Sequence, residues 1–358
     1  MPSLKEIKGR INSISSTLAI TSAMKMVASA KLQKAQMAIQ NMLPYERRLY
    51  SMLVDLMGAM NISAAASEDG SVRGSGSAER GFDQSGDRLS LSNRHDLAGM
   101  DGAYSLMAQR EVRKVAIVAF ASNSSLCGAF NSNAIREATA VINEYRASGL
   151  RDSDIVVYSV GRKMAEAMRK LGFPSPADFT KMSDSPSYEA ASALAQELLD
   201  GFVSGRFDKV ELVYNHYKST SSQPTTRQTY LPLSLADATA DLQAGKIADS
   251  ASETDTNKVA EPVGAPVVRQ GSPTTEDLIV EPSKEALIAT LLPKVIRLRI
   301  FTTLLDSAAA EHAARTVAMQ LATDNGNDLL QELTLEYNKG RQQKITSEIL
   351  DLVGGSMQ

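Results

Sequence analysis

Tryptophan is absent from this 358-residue chain, and the other large aromatics are few, with eight Phe and ten Tyr. Met and Ala are plentiful, which favours helix and adaptable packing over a β-sandwich core. A single cysteine, Cys127, leaves no intramolecular disulfide and no Cys-based metal site, a usage that fits a reducing compartment. Charge of one sign is also lacking. Lys and Arg number 38 against 41 Asp and Glu, so the whole chain has no argument for nucleic acid or a membrane surface. No apolar run approaches the roughly 18 residues that a membrane span needs. The N-terminus, "MPSLKEIKGR", is charged and lacks the apolar core of a signal peptide, so cytoplasmic synthesis and residence are expected.

The common signatures of chemistry are missing too. "LQAGKIADS" holds Gly-Lys without the preceding Gly and following Ser/Thr of a phosphate-binding loop, and no GxGxxG follows a strand. The glycines of "GSGSAERG" read as flexibility. His95, His216 and His312 are scattered without metal-ligand spacing. Cys127, in "NSSLCGAFN", is the most enzyme-like residue, because it follows a strand in an α/β unit where ligands often bind. A catalytic thiol wants a base or a helix N-terminus nearby. No histidine is close in sequence, and a buried structural cysteine at a tight turn is the better reading.

What is present is helix, in quantity. Ser3 and Glu6 have capping-box spacing, and Ile7, Ile11, Ile14 and Leu18 recur at four, three and four residues. That rhythm then lands on Thr21 and Lys25, both polar, before resuming at Ala28, Leu32, Ala35 and Ile39. Ile20, Met24 and Val27 form a second short stripe beside it. With Pro44 as its one breaker, the helix predicted to run to about Met60 is a rod of about 80 Å. A second helical stretch runs from Ser283 to about Val353, interrupted by Pro293, and spans about 105 Å. Neither buries itself alone, so the two terminal helices are expected to pair antiparallel. Gly326 and Gly340 each cost about 1 kcal/mol inside a helix and imply close approach by another surface.

Between the helices, "VRKVAIVAF", "DIVVYSV", "KVELVYNHY" and "TRQTYLPL" read as strands alternating with helices, a parallel or mostly parallel sheet. Two low-complexity stretches flank this unit and read as flexible. The expected division is 1–61 (N-terminal coiled-coil helix), 62–110 (flexible insertion), 111–243 (Rossmann-like α/β domain), 244–276 (flexible loop) and 277–358 (C-terminal coiled-coil helix). The fold class is α/β: a long antiparallel coiled coil carrying an inserted α/β domain.

Three segments together resemble a known family. "AMKMVASAKL" near the start and "EHAARTVAMQLATDNGNDLLQELTLEYNKGRQQKITSEI" near the end look like the two signature ends of the gamma subunit of F-type ATP synthase. "SSLCGAFN" resembles that family's central glycine-cysteine loop, and "EPSKEALIATLLPKVI" the segment leading into its C-terminal helix. The loop departs from the family's charged pair and double glycine, reading Asn123, Ser124, Ser125 and Gly128-Ala129. Gly340 stands where alanine is common. The stretches around 62–109 and 245–275 look like insertions on a shorter family core.

The resemblance implies a non-catalytic rotor without cofactors. Its helix pair turns inside a ring of alpha and beta subunits, and its α/β domain sits with the epsilon subunit on the membrane's c-ring. For a bacterial chain it implies a peripheral place on the cytoplasmic face of the cell membrane. Carried over by motif, Met24 and Lys25 lie where the shaft meets the beta subunits. Arg315, Gln342 and Thr346 couple to that region, with Arg341 a hydrogen-bonding neighbour, and Glu281 lies at the foot near epsilon and the c-ring. Two other readings compete: an α/β enzyme using Cys127 as nucleophile, and a passive coiled-coil scaffold.

Overall fold

The computed structural model describes residues 3–59, 106–233, 281 and 283–356. The expected loop at 244–276 lies outside the described residues, as does the expected insertion at 62–110 but for residues 106–110.

Helix α1 (Leu4–Ala59) and helix α6 (Lys284–Ser356) account for most of the length, each continuous through its proline. Half of the predicted capping box forms: the Glu6 backbone N–H donates to Ser3 Oγ at 3.3 Å, while the Glu6 carboxylate turns forward to Arg10 at 3.0 Å. The two helices run antiparallel. Leu4 faces Gly340, Leu18 faces Gly326 and Thr21 faces Thr323, so equal steps along one helix match equal steps along the other. Nearer the sheet Leu32 packs on Ala309 and Ala313, Glu46 accepts from Thr302, and Tyr50 accepts from Arg299. The buried alanines 308–310 and 313 let α6 lie close to its neighbours there.

The sheet has the order β2-β1-β3-β4, formed by β1 (Val115–Phe120), β2 (Ile155–Val160), β3 (Lys209–Asn215) and β4 (Thr225–Leu231). β1 is parallel to both β2 and β3, whereas β4 returns antiparallel to β3 as a hairpin. Every residue of β1 is buried because helices cover both faces. Val115, Ile117 and Ala119 point into a core with α2 (Phe130–Ala147) and α3 (Arg162–Lys170). Ala116, Val118 and Phe120 point the other way, onto α5 (Tyr188–Val203) and the domain-side ends of α1 and α6. There Leu49, Leu53 and Leu56 meet Ile288, Leu292 and Ile296 around the sheet. A short helix α4 (Thr180–Asp184) closes the β2 side.

α2 starts at Phe130, four residues before the predicted start near Ala134. The polar run "NSN" reads as loop, but Asn131 serves a tertiary contact. Its Oδ1 accepts from the Ser122 backbone N–H at 3.0 Å, tying the helix start to the end of β1. The long helices are therefore anchored at one end in the core of the α/β domain. The other end projects.

Candidate functional site: the projecting helix pair

Beyond the domain, α1 and α6 have chiefly each other for company. Gly128, in the loop after β1, is the outlying approach of the domain: a Cβ there would meet Ala318 Cβ at 3.9 Å. The seam predicted to lapse at Thr21 does not lapse. The Thr323 hydroxyl shares its one proton between the Met319 carbonyl at 2.8 Å and Thr21 Oγ1 at 3.1 Å, while the Thr21 hydroxyl donates to the Leu18 carbonyl, so the polar pair is satisfied inside the interface. Lys25 stays half-buried on the same rhythm, followed by buried Ala28. The second stripe is the one that faces outward. Ile20, Met26 and Val27 are all more than half exposed, and Met24 beside them is half-buried.

At the far end α1 begins opposite Gly340, and the last sixteen residues of α6, Arg341–Ser356, continue without α1 beside them. This tip is about 24 Å long. Ile345, Ile349, Leu350, Leu352 and Val353 lie exposed on it, Leu352 at 75%. At 100° per residue these side chains fall within one broad face of the helix, an exposed apolar stripe of the kind that another protein covers. Arg341, Gln342 and Thr346 are on this tip and exposed, and Thr346 Oγ1 donates to the Gln342 carbonyl at 2.9 Å.

The six shaft positions named from the sequence thus fall in three places. Met24 and Lys25 lie midway along the projecting pair, about 33 Å along the axis from Gln342. Arg315 lies elsewhere again, at the joint between shaft and domain. Its guanidinium bonds Glu311 at 2.7 Å and Ser124 Oγ at 2.7 Å, with its side chain only 11% exposed. Burial raises the Glu311 carboxyl above its ordinary range, with Arg315 and Lys31 opposing and Asp184 assisting. Burial likewise drives the adjacent His312 down to about 4, helped by the Arg315 and Lys31 charges. Its Nδ1 has no hydrogen-bond partner among the described residues. Glu281 is exposed just ahead of α6, at the end of the molecule away from the tip.

Cys127 is 1% exposed and packs with Phe130 on Ala310 of α6. Its sulfur accepts from Asn131 Nδ2 at 3.2 Å and lies 3.8 Å from Ser122 Oγ, with no imidazole or amine among its bonded neighbours. In an open α/β sheet, ligands bind outside the carboxyl ends of the strands. Here α6 lies against that end of the sheet, with Leu304, Ser307, Ala308 and Glu311 facing Phe120, Ala121 and Val160. What the sequence did not reveal is this joint. Ser124 lies 187 or more residues from Glu311 and Arg315, and no spacing rule connects them.

The arrangement defines a class of protein: a long projecting pair of helices carried on a small α/β base. The family described as ATP synthase matches residues 3–357. The chain is 47% identical over 357 residues to the ATP synthase gamma chain of Phocaeicola vulgatus, covering all of both chains. It is 44% identical over 358 residues to that of Bacteroides thetaiotaomicron, again over the full length of each. The chain belongs to this family, that of the ATP synthase gamma chains. Its fold is shared by the rotor of Euglena gracilis mitochondrial ATP synthase, with a TM-score of 0.51 at 18% identity, covering 96% of this chain and 98% of that one.

Proposed function

We propose that this chain is the central rotor of an F-type ATP synthase, carrying torque between an ion-driven c-ring and the catalytic hexamer of alpha and beta subunits. The observation that carries this reading is the asymmetry of the helix pair, locked into the domain core at one end and bare at the other. A shaft must be stiff, and a pair of helices interlocked as an antiparallel coiled coil resists bending far better than one helix. It must also turn without sticking. The outward band at Ile20, Met24 and Val27 and the mixed surface of the tip offer modest contacts instead of a deep apolar interface.

In this reading Met24 and Lys25 meet the beta subunits' moving segment, and Arg341, Gln342 and Thr346 lie in the bearing formed by the hexamer. Arg315 contributes by holding α6 to the loop after β1. Glu281 faces the epsilon subunit and c-ring. The chain makes and breaks no bonds itself. It sits peripherally at the cytoplasmic face of the membrane through its partners; among the described residues no helix is long and apolar enough to cross one. The domain division follows: coiled-coil segments 1–61 and 277–358, a Rossmann-like domain 111–243, and connecting segments 62–110 and 244–276.

The test is to mix the purified chain with alpha and beta subunits and follow ATP hydrolysis. A stable complex whose turnover depends on this chain is expected. No complex, or a complex whose activity ignores the chain, sinks the rotor reading. Shortening α6 from Arg341 separates it from a passive scaffold, which predicts unchanged ATP turnover.

A further inference from the structure

The β3–β4 connection grips both long helices at once. On α6, Asp306 binds it twice, with Oδ2 2.6 Å from His216 Nδ1 and Oδ1 accepting from the Tyr217 backbone N–H at 2.9 Å. On α1, Gln36 Nε2 donates to the Tyr217 hydroxyl at 2.6 Å. The loop is closed upon itself as well: His216 N–H donates to Pro224 O, and Ser219 and Ser222 exchange backbone hydrogen bonds. Two adjacent residues of one hairpin therefore tie the sheet to α1 and α6 together. His216 is half exposed and lines a cavity of about 400 Å³ between the long helices and the sheet, so solvent protons reach the ring.

We propose that this connection is a proton-controlled clasp, in which the charge on His216 sets how tightly the α/β domain holds the two long helices. Asp306 is the group in direct contact and fixes the sign. Lys218 of the same loop opposes it, and Glu46 and Arg47 of α1 and Arg299 of α6 line the same cavity, with Tyr50, Tyr214 and Tyr217 as its phenols. The hydrogen bond to Asp306, then its charge, hold His216 above the ordinary 6.5 against burial and Lys218. A raised folded value means that the ion pair contributes fully below about 6.5 and is lost as pH rises through the higher value. The neutral ring can still donate from Nδ1, so the clasp loosens instead of opening. It is a property of the chain alone and stands whether or not the chain turns inside a larger assembly.

The full-length chain is titrated by NMR through its histidine ring signals, with His216 assigned from H216Q, while amide exchange is followed over residues 216–224 from pH 6 to 9. His216 should titrate above 6.5. Protection of the loop, corrected for intrinsic exchange, should fall roughly two- to fivefold through that titration, the range for a partly exposed ion pair. In H216Q the step should vanish. In D306N, His216 should titrate near its ordinary value, again without a step. A His216 that titrates at or below 6.5, a flat wild-type profile, or a step that survives in H216Q each overturns the clasp.

Discussion

Leu18 occupies the space that a side chain on Gly326 would need: an added Cβ would lie 2.6 Å from Leu18 Cδ2 and 3.1 Å from its Cγ. Replacing Gly326 by Ala brings about 1 kcal/mol of helix propensity. It also overpacks the interface, which costs about 1–3 kcal/mol. Gly326→Ala is therefore expected to destabilise the helix pair by about 1 kcal/mol, and Leu18→Ala should cost less in that variant than in the wild type. Denaturant unfolding of both single variants and the double variant measures the coupling. Simple additivity would show that the two residues do not compete for that space.

Met24 lies one turn from Ile20 and from Val27, both exposed, so a lysine at this position puts a charge into an outward apolar band. The seam with α6 runs through Thr21 and Lys25 and is untouched. Met24→Lys should leave assembly with alpha and beta subunits intact and lower the ions pumped per ATP hydrolysed severalfold. Copurification and dye-reported pumping in vesicles read the two effects separately. Unchanged coupling would return the band to ordinary solvent-exposed surface.

Those two sites also show what could be read in advance. The glycine at 326 announced close approach because a helix interior does not otherwise favour it, and the apolar runs of β1, β2 and β3 announced strands buried on both faces. Polarity alone was a poor guide to direction. Thr21 looked like an interruption, yet its hydroxyl finds Thr323 on a helix 302 residues away. Arg315, which its motif couples to the beta-subunit region, bonds Glu311 and Ser124 at the shaft–domain joint, partners that no spacing in the sequence pairs with it. Periodicity reports which face a residue occupies along its own helix. It carries no information on which distant polar group will be waiting there.

Cys127 separates the competing enzyme reading cleanly. Buried under α6 and accepting from Asn131, its thiol should react with an aromatic disulfide reagent far more slowly in the folded chain than in denaturant. Cys127→Ser should cost about 1 kcal/mol of stability, the order expected when a buried, weakly polar group becomes a stronger one with a neighbour in reach. ATP turnover of the reconstituted complex should be unchanged. Loss of all turnover with a stable fold would revive the thiol as a nucleophile.

His312 supplies the acid sensitivity of the joint. Its folded value of about 4 lies below the ordinary 6.5, so between these limits the unfolded chain takes up a proton that the folded chain refuses. Stability conferred by the neutral ring is therefore fully present above 6.5, falls as pH drops, and levels off below about 4. The loss is on the order of 2 kcal/mol once solvent reaching the ring is allowed for. The bond network beside it, Arg315 with Glu311, contributes the positive charge that makes protonation harder. His312→Leu removes the titrating group while keeping an apolar volume between α6 and its neighbours. Subtracting its unfolding free energy from that of the wild type at pH 5 and at pH 7.5 cancels the carboxylates common to both chains. The wild type should lose about 1–2 kcal/mol more than the variant over this interval; parallel curves would mean that His312 takes up its proton as readily in the folded chain as in the unfolded one.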